Sequence, residues 1–246
     1  MTLELAWFAA LCDDDYEQLG VPAPHLQSTP EHCAAIVHEA ERGGFDSILM
    51  PSGYALGIDT VAFTASVAGI TDRISPIVAV RMGEMWLPQL ARQLATLDQQ
   101  LQGRMVVNII SSELPGETMP SAPRYRRTLE HMHALRTLLN GQRLDLDGEF
   151  LQLHLDPPRV RTTTGTCPPL YFGGLSPEAR AVAAEAADVY LMWPDTLDGV
   201  RDTLADMRAR ADQHQRTLRV GYRVHVVVRE TEREARAAAE HLVAAL

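Results

Sequence analysis

The sequence predicts an α/β chain in which short strands alternate with amphipathic helices. Three observations lead there. Several apolar runs are nearly continuous and rich in Val and Ile, as in Ile74–Arg81 (ISPIVAVR) and Met105–Ser111 (MVVNIIS). Such runs suit parallel strands covered on both faces. Helix start and stop signals lie between the runs, and strand and helix alternate seven times along 246 residues. That is the sequence form of a (β/α) barrel or of an open doubly wound sheet.

In chain order, the strands are expected at Leu3–Ala10, Ser47–Pro51, Ile74–Arg81, Met105–Ser111, Leu170–Gly174, Val189–Trp193 and Leu218–Arg229. Thr29-Pro30-Glu31 reads as an N-cap, an N1 proline and a first-turn acid, and Gly43-Gly44 stops that helix. Pro88 opens a helix with Leu90, Leu94, Leu97 and Leu101 on one face, closed by Gly103. Arg124–Leu139 repeats the helical spacing with Tyr125, Leu129, Met132, Leu135, Leu138 and Leu139. Ser176-Pro177-Glu178 starts another helix, and Thr231 with Glu234 forms a capping box before Ala235–Leu246. One stretch breaks the rhythm. Arg143–Leu155 (RLDLDGEFLQLHL) alternates polar and apolar around Asp147-Gly148, a hairpin signal, and a Pro/Thr/Gly loop follows. It reads as an excursion between the fourth and fifth strands within a single domain, residues 1–246.

Composition narrows the function classes. Apolar residues make up 46% of the chain and charged residues 22%, which suits a packed globule and excludes a mainly disordered chain. The net charge of −10 argues against nucleic acid as a partner, because phosphate backbones need a basic surface. Cys12, Cys33 and Cys167 are too sparse for a disulfide framework and form no zinc spacing. Met1-Thr2-Leu3-Glu4 has no basic segment followed by an apolar one, and no apolar run reaches membrane-spanning length. A cytoplasmic protein with no membrane partner is the expectation.

Few residues carry chemistry. In Leu170–Glu178 (LYFGGLSPE) a strand ends in two glycines and a helix begins at Ser176. Glycines allow close backbone approach to an anion, and a helix start offers free N–H groups. A plain βα turn with a serine cap fits the same residues. Arg223 and His225 alternate along the last apolar run, which would place both on one face. An arginine there needs a carboxylate or a bound anion. Asn108 interrupts an apolar strand and must satisfy its amide on backbone or on a ligand. Trp193 closes a strand, as a pocket wall or as core. Asp13-Asp14-Asp15 reads as a solvated loop, and His131-x-His133 points its rings about 200° apart on a helix, so no metal site is expected.

These residues resemble a known family, the bacterial luciferase-like flavin-dependent monooxygenases, in particular the alkanesulfonate monooxygenase branch. The resemblance begins at Trp7-Phe8, Gly44-Phe45-Asp46 and Leu49-Met50-Pro51-Ser52-Gly53, and continues through Ala91–Asp98, Gly103-Arg104 and Asn108. It then runs through Arg124-Tyr125, Pro168–Gly174 and Asp188–Trp193, and ends at Arg223–Thr231. It implies a TIM (β/α)8-type barrel, here lacking the eighth strand and the C-terminal helices of the family. It also implies reduced FMN delivered by a separate flavin reductase, O2 as oxidant, a small anionic substrate, and a homo-oligomer, dimer or tetramer. In the alkanesulfonate branch the products are an aldehyde and sulfite.

Carried over by position, Arg124, Tyr125, Gly173, Gly174 and Ser176 match the surroundings of the flavin phosphate. Asn108 matches a position facing the flavin ring. Ala79, with Val80, matches the flavin platform, which is often associated with a non-prolyl cis peptide. Trp193, Arg223 and His225 match the catalytic, substrate side of the sulfonate branch. Three places depart from the branch: Leu11-Cys12-Asp13 stands for a histidine, Gly53–Gly57 for a cysteine-bearing segment, and Ser112–Glu117 for a differently composed loop. The alternatives are the same fold with another substrate or a deazaflavin, and a truncated homologue that binds flavin without turnover.

Overall fold

Each predicted apolar run contains a strand, and each barrel strand pairs in parallel with the next. The computed structural model describes residues 3–16, 21 and 23–244. Its strands are β1 (Ala6–Phe8), β2 (Ser47–Met50), β3 (Ser75–Arg81), β4 (Val106–Ile110), β5 (Leu144–Asp147), β6 (Gln152–Leu155), β7 (Leu170–Gly173), β8 (Val189–Met192) and β9 (Arg219–Tyr222). Seven of them form one sheet in the order β1-β2-β3-β4-β7-β8-β9, with every neighbouring pair parallel. No reversal of strand order occurs, so the sheet is of barrel type and not doubly wound.

The helices α1 (Pro30–Arg42), α2 (Thr60–Val67), α3 (Leu87–Gln100), α4 (Ser121–Leu139), α5 (Pro177–Ala186), α6 (Leu197–Gln213) and α7 (Glu232–Ala244) follow the barrel strands. The predicted caps form. Thr29 accepts from the His32 N–H at 3.2 Å. Ser176 accepts from Ala179 at 3.1 Å. Thr231 and Glu234 exchange two bonds across the start of α7.

Alternation along the strands divides the core into two layers. Val78, Val80, Val107, Ile109, Leu170, Phe172 and Tyr190 face the helices and join the large core with Leu94, Leu135 and Val182. Ile77, Tyr171 and Val189 face the lumen, with Leu49, Val106 and Leu191 packed against them. The two sheet edges curl toward each other. Arg219 on β9 lies 3.7 Å from Glu4 beside β1, and the Arg223 guanidinium stacks over Phe8 of β1, 5.1 Å from its centroid.

The β5–β6 pair forms its own antiparallel sheet outside the barrel, as the Asp147-Gly148 signal predicts. Glu130 of α4 holds its turn by accepting from the N–H groups of Glu149, Phe150 and Leu151.

One strand is shorter than expected. The apolar run to Arg229 forms a ladder only as far as Tyr222. β8, its one neighbour in the sheet, ends at Met192, so residues 224–229 have no ladder to join. Val224, Val226 and Val228 are exposed there. Among the described residues, no helix is long and apolar enough to cross a membrane.

Candidate active site

In a parallel barrel the C-terminal ends of the strands converge on one rim, and the loops that follow them build sites. The residues singled out in the sequence gather there in two groups.

The first group lies between β7 and α4. Gly174 has φ +152°, a conformation natural to glycine. A Cβ at this position would stand 2.5 Å from the Ala179 Cβ and 3.7 Å from the Tyr125 hydroxyl. The carbonyl of Gly174 accepts from the Tyr190 hydroxyl at 2.7 Å, which fixes the turn. Tyr125 rests edge-on against Phe172, with centroids 6.4 Å apart, and Arg124 lies over the Tyr125 ring at 5.9 Å. The Arg124 Nη1 donates to the Met119 carbonyl at 3.1 Å. Its Nε is buried with no hydrogen-bond partner. Ser176 spends its oxygen on the α5 cap, and Pro177 brings no N–H. Backbone kept clear of a side chain, a tyrosine hydroxyl and an orphaned guanidinium N–H make a cradle for a small dianion. A flavin phosphate fits that donor set.

The lumen beneath the cradle holds Asn108. It is half-buried on β4, between Ala79 of β3 and Tyr171 of β7 in register. Its amide makes no hydrogen bond with the described residues, and its polar atoms are not shut away from solvent, so they are open to a ligand. Ala79 is buried, and the peptide bonds around it are trans, as they are throughout the described residues. The cis peptide expected at the platform is therefore absent. At Ala79 and Val80 β3 keeps an unbroken register with Asn108 and Ile109 of β4.

The second group lies across the rim, where β1 and β9 approach. Arg223 follows β9 directly, and its N–H donates to the Met192 carbonyl at 3.0 Å. Its guanidinium is sandwiched, 4.7 Å from the Trp193 centroid and 5.1 Å from that of Phe8. The rings hold the cation without consuming its N–H donors. Trp193 is thus a rim residue, about half exposed, and not core. Asp14 is half-buried nearby. Burial raises its carboxyl above the usual range, opposed by a hydrogen bond from Cys12 and by the charge of Arg223. The aspartate run is accordingly organised and not simply solvated, since Asp13 also accepts from Ser28 at 2.8 Å. His225 lies beyond the strand and is exposed. The shared strand face expected for Arg223 and His225 does not exist, because the ladder ends first.

Two residues at the rim escape a reading of the sequence alone. Arg81 ends β3 pointing inward and is nine-tenths buried. It ties three loops together, donating to Ser112 at 2.6 Å, Glu84 at 3.1 Å and the Ser52 carbonyl at 3.3 Å. Its alternation with Ile77 and Ala79 is the available signal. Phe8 completes the clamp on Arg223 from the far end of the chain, a pairing that no local pattern reveals. The histidines of α4 diverge as expected: His131 is buried against the Arg127 carbonyl, and His133 reaches Glu185 at 3.1 Å.

The chain is a barrel-type α/β fold with a glycine turn beside Tyr125 and Arg124 on one side of its mouth and an aromatic-clamped arginine on the other. Comparison with known proteins narrows the class. The model of the luciferase-like monooxygenases matches residues 12–246, and the chain belongs to that family. It is 63% identical over 250 residues to a sulfoquinovose monooxygenase of Novosphingobium aromaticivorans, a match covering 99% of this chain and 69% of the relative. It is 48% identical over 246 residues to a sulfoquinovose monooxygenase of Agrobacterium fabrum, covering 99% of this chain and 64% of that one. The chain therefore spans about two thirds of the length of these relatives. Among solved structures, a riboflavin lyase with modified FMN and riboflavin superposes with a TM-score of 0.87 at 16% identity, over 99% of this chain and 67% of that one. At that identity the likeness is one of fold.

Proposed function

We propose that this chain provides the flavin cradle and the substrate-anion clamp of an FMN-dependent monooxygenase acting on a sulfonated sugar. The observation that carries the proposal is a single barrel mouth with two separated arginines, Arg124 beside the Gly174 turn and Arg223 between two rings. The cradle follows β7 and the clamp follows β9. With β8 between them, the two lie on the order of 10 Å apart. A flavin phosphate suits the first and a sulfonate the second, with the ring in the lumen between them facing Asn108.

Bound reduced FMN, supplied by a flavin reductase, would furnish the O2 chemistry. The protein's part is placement. Gly173, Gly174, Tyr125 and Arg124 hold the phosphate, Asn108 reads a polar edge of the ring, and Ala79 gives it a smooth floor. Arg223 holds the sulfonate so that the carbon bearing it faces the ring, and Trp193 and Phe8 keep water from the guanidinium. Oxygenation at that carbon leaves a hydroxyl and a sulfonate on one atom, which separate into an aldehyde and sulfite. His225 would act on the substrate side as a proton carrier once residues 223–229 fold inward. The two relatives named for sulfoquinovose favour a sugar over a simple alkanesulfonate. Homo-oligomerisation and a cytoplasmic location belong to the same reading.

The test is anaerobic titration with FMNH2, followed by aerobic turnover on sulfoquinovose and a series of straight-chain alkanesulfonates. The expected result is sulfite release, greatest for the sugar. Flavin oxidation without sulfite from any sulfonate refutes the substrate assignment.

A further inference from the structure

The loop joining β4 to α4 contains the segment Ser112–Glu117, and the proposed function gives it no role. It is pinned at several points. Ser111 bonds Thr128 at 2.8 Å, and Ser112 accepts from Arg81 at 2.6 Å. Glu117 takes both oxygens to the buried Arg127, at 2.9 and 2.8 Å. Glu113 lies between these anchors. Its side chain is 58% exposed, and its carboxylate stands 3.8 Å from Nη1 of Arg124, which is only 18% exposed. The same Nη1 donates to Met119, and the neighbouring Nε has no acceptor.

We infer that Glu113 is a selectivity-determining residue of the phosphate cradle, a carboxylate fixed beside Arg124 that competes with a phosphate for that guanidinium. The inference rests on the proposed cradle and adds a residue to it. Two anions gathered at one mostly buried cation repel each other, so the loop carboxylate opposes any phosphate that enters. The opposition acts on charge alone. It weakens FMN binding and leaves riboflavin, the same ring system without phosphate, untouched. The anchors on either side matter because they keep the backbone of Glu113 from moving away when the phosphate arrives.

The experiment measures FMN and riboflavin affinities by flavin fluorescence for the chain and for Glu113→Gln, Glu113→Asp and Arg124→Ala. Glu113→Gln is expected to tighten FMN by about two- to five-fold, the range of a partly exposed ion pair, with riboflavin unchanged. The gain should shrink as salt is added. Glu113→Asp, which keeps the charge, should retain the parental ratio of the two affinities. Arg124→Ala should lose FMN selectively. If Glu113→Gln leaves FMN unchanged or weakens it while Arg124→Ala still loses FMN selectively, the competition is refuted and the cradle stands. If Arg124→Ala treats FMN and riboflavin alike, or the parent chain does not bind FMN, the cradle falls and the inference with it. Equal tightening of both flavins by Glu113→Gln also overturns it, since that effect does not depend on the phosphate.

Discussion

Replacing Gly174 by alanine tests the cradle from the folding side. The added methyl would stand 2.5 Å from the Ala179 Cβ, at a backbone φ of +152°. Apolar carbons pack at about 3.5–4.0 Å, so something must move by about 1 Å or more. A side chain in this glycine region costs about 1–3 kcal/mol, and overpacking a filled site costs a further 1–3 kcal/mol or so. Gly174→Ala should therefore destabilise the fold by about 2–6 kcal/mol, a large share of a typical stability of about 5–15 kcal/mol. The steric part can be separated. Ala179→Gly removes the opposing methyl at a helical cost of about 1 kcal/mol, so the double variant should recover about 1–3 kcal/mol relative to additivity. Urea unfolding of the four proteins gives the coupling directly. In the double variant the new methyl still stands 3.7 Å from the Tyr125 hydroxyl, so FMN affinity should fall more than tenfold while riboflavin changes less. Coupling indistinguishable from zero would show that the turn relaxes freely and would refute the steric reasoning. A restored fold with parental FMN affinity would refute the cradle.

Other outcomes follow from the same geometry. Arg223→Ala should weaken sulfoquinovose by about one to two decades, the worth of a charge-assisted contact of about 1.5–3 kcal/mol, with FMN affinity little changed; isothermal titration with each ligand decides, and equal loss of both would make Arg223 structural. Arg223→Lys should recover only part of that loss, because a lysine cannot present the planar face that stacks between Phe8 and Trp193. Asn108→Val should leave stability within about 0.5 kcal/mol, since the amide has no described partner, yet weaken flavin binding; a large fall in Tm would show that the amide is structural. Burial holds the His131 imidazole below its ordinary value of 6.5. Its contribution is therefore complete above pH 6.5 and lost as pH falls below it, because the unfolded chain takes the proton first. Denaturation of His131→Gln against the parent between pH 7.5 and 5, values of about this range bracketing the ordinary histidine titration, should show a shallower acid decline in the variant.

What the sequence makes legible here is what neighbouring residues decide. The caps at Thr29, Ser176 and Thr231 form because each joins groups three residues apart. The glycine turn at Gly173-Gly174 and the hairpin at Asp147-Gly148 are equally local. The end of β9 is not, because whether Arg223–Arg229 pairs depends on the length of β8. For the same reason His225 parts from Arg223 despite its alternating position. The aromatic clamp is half legible: Trp193 and Arg223 stand out as candidates, but Phe8 meets them only when the first and last strands curl together. Arg81 hid within an apolar run because its three acceptors lie in three different loops. Nor did spacing suggest that Asp13 and Asp14 would bond the backbone of their own rim.

The shortness of β9 also grades the molecule in time. β3 and β4 sit inside the ladder, with Val78 and Val107 fully shielded. By contrast, residues 224–229 have no strand partner, and α7 buries none of its residues. Opening that end uncovers almost no apolar surface and breaks few protected hydrogen bonds, so its free energy should lie far below that of global unfolding. Amide exchange ought to sweep inward from α7 and β9 and reach β3 and β4 last. The stretch carrying Arg223 and His225 then belongs to the most readily opened part of the chain, and the cradle at Gly174 to a more protected one. On the proposed assignment, the two ligands would meet supports of unequal persistence: the flavin a standing frame, the sulfonate a segment that reforms around it.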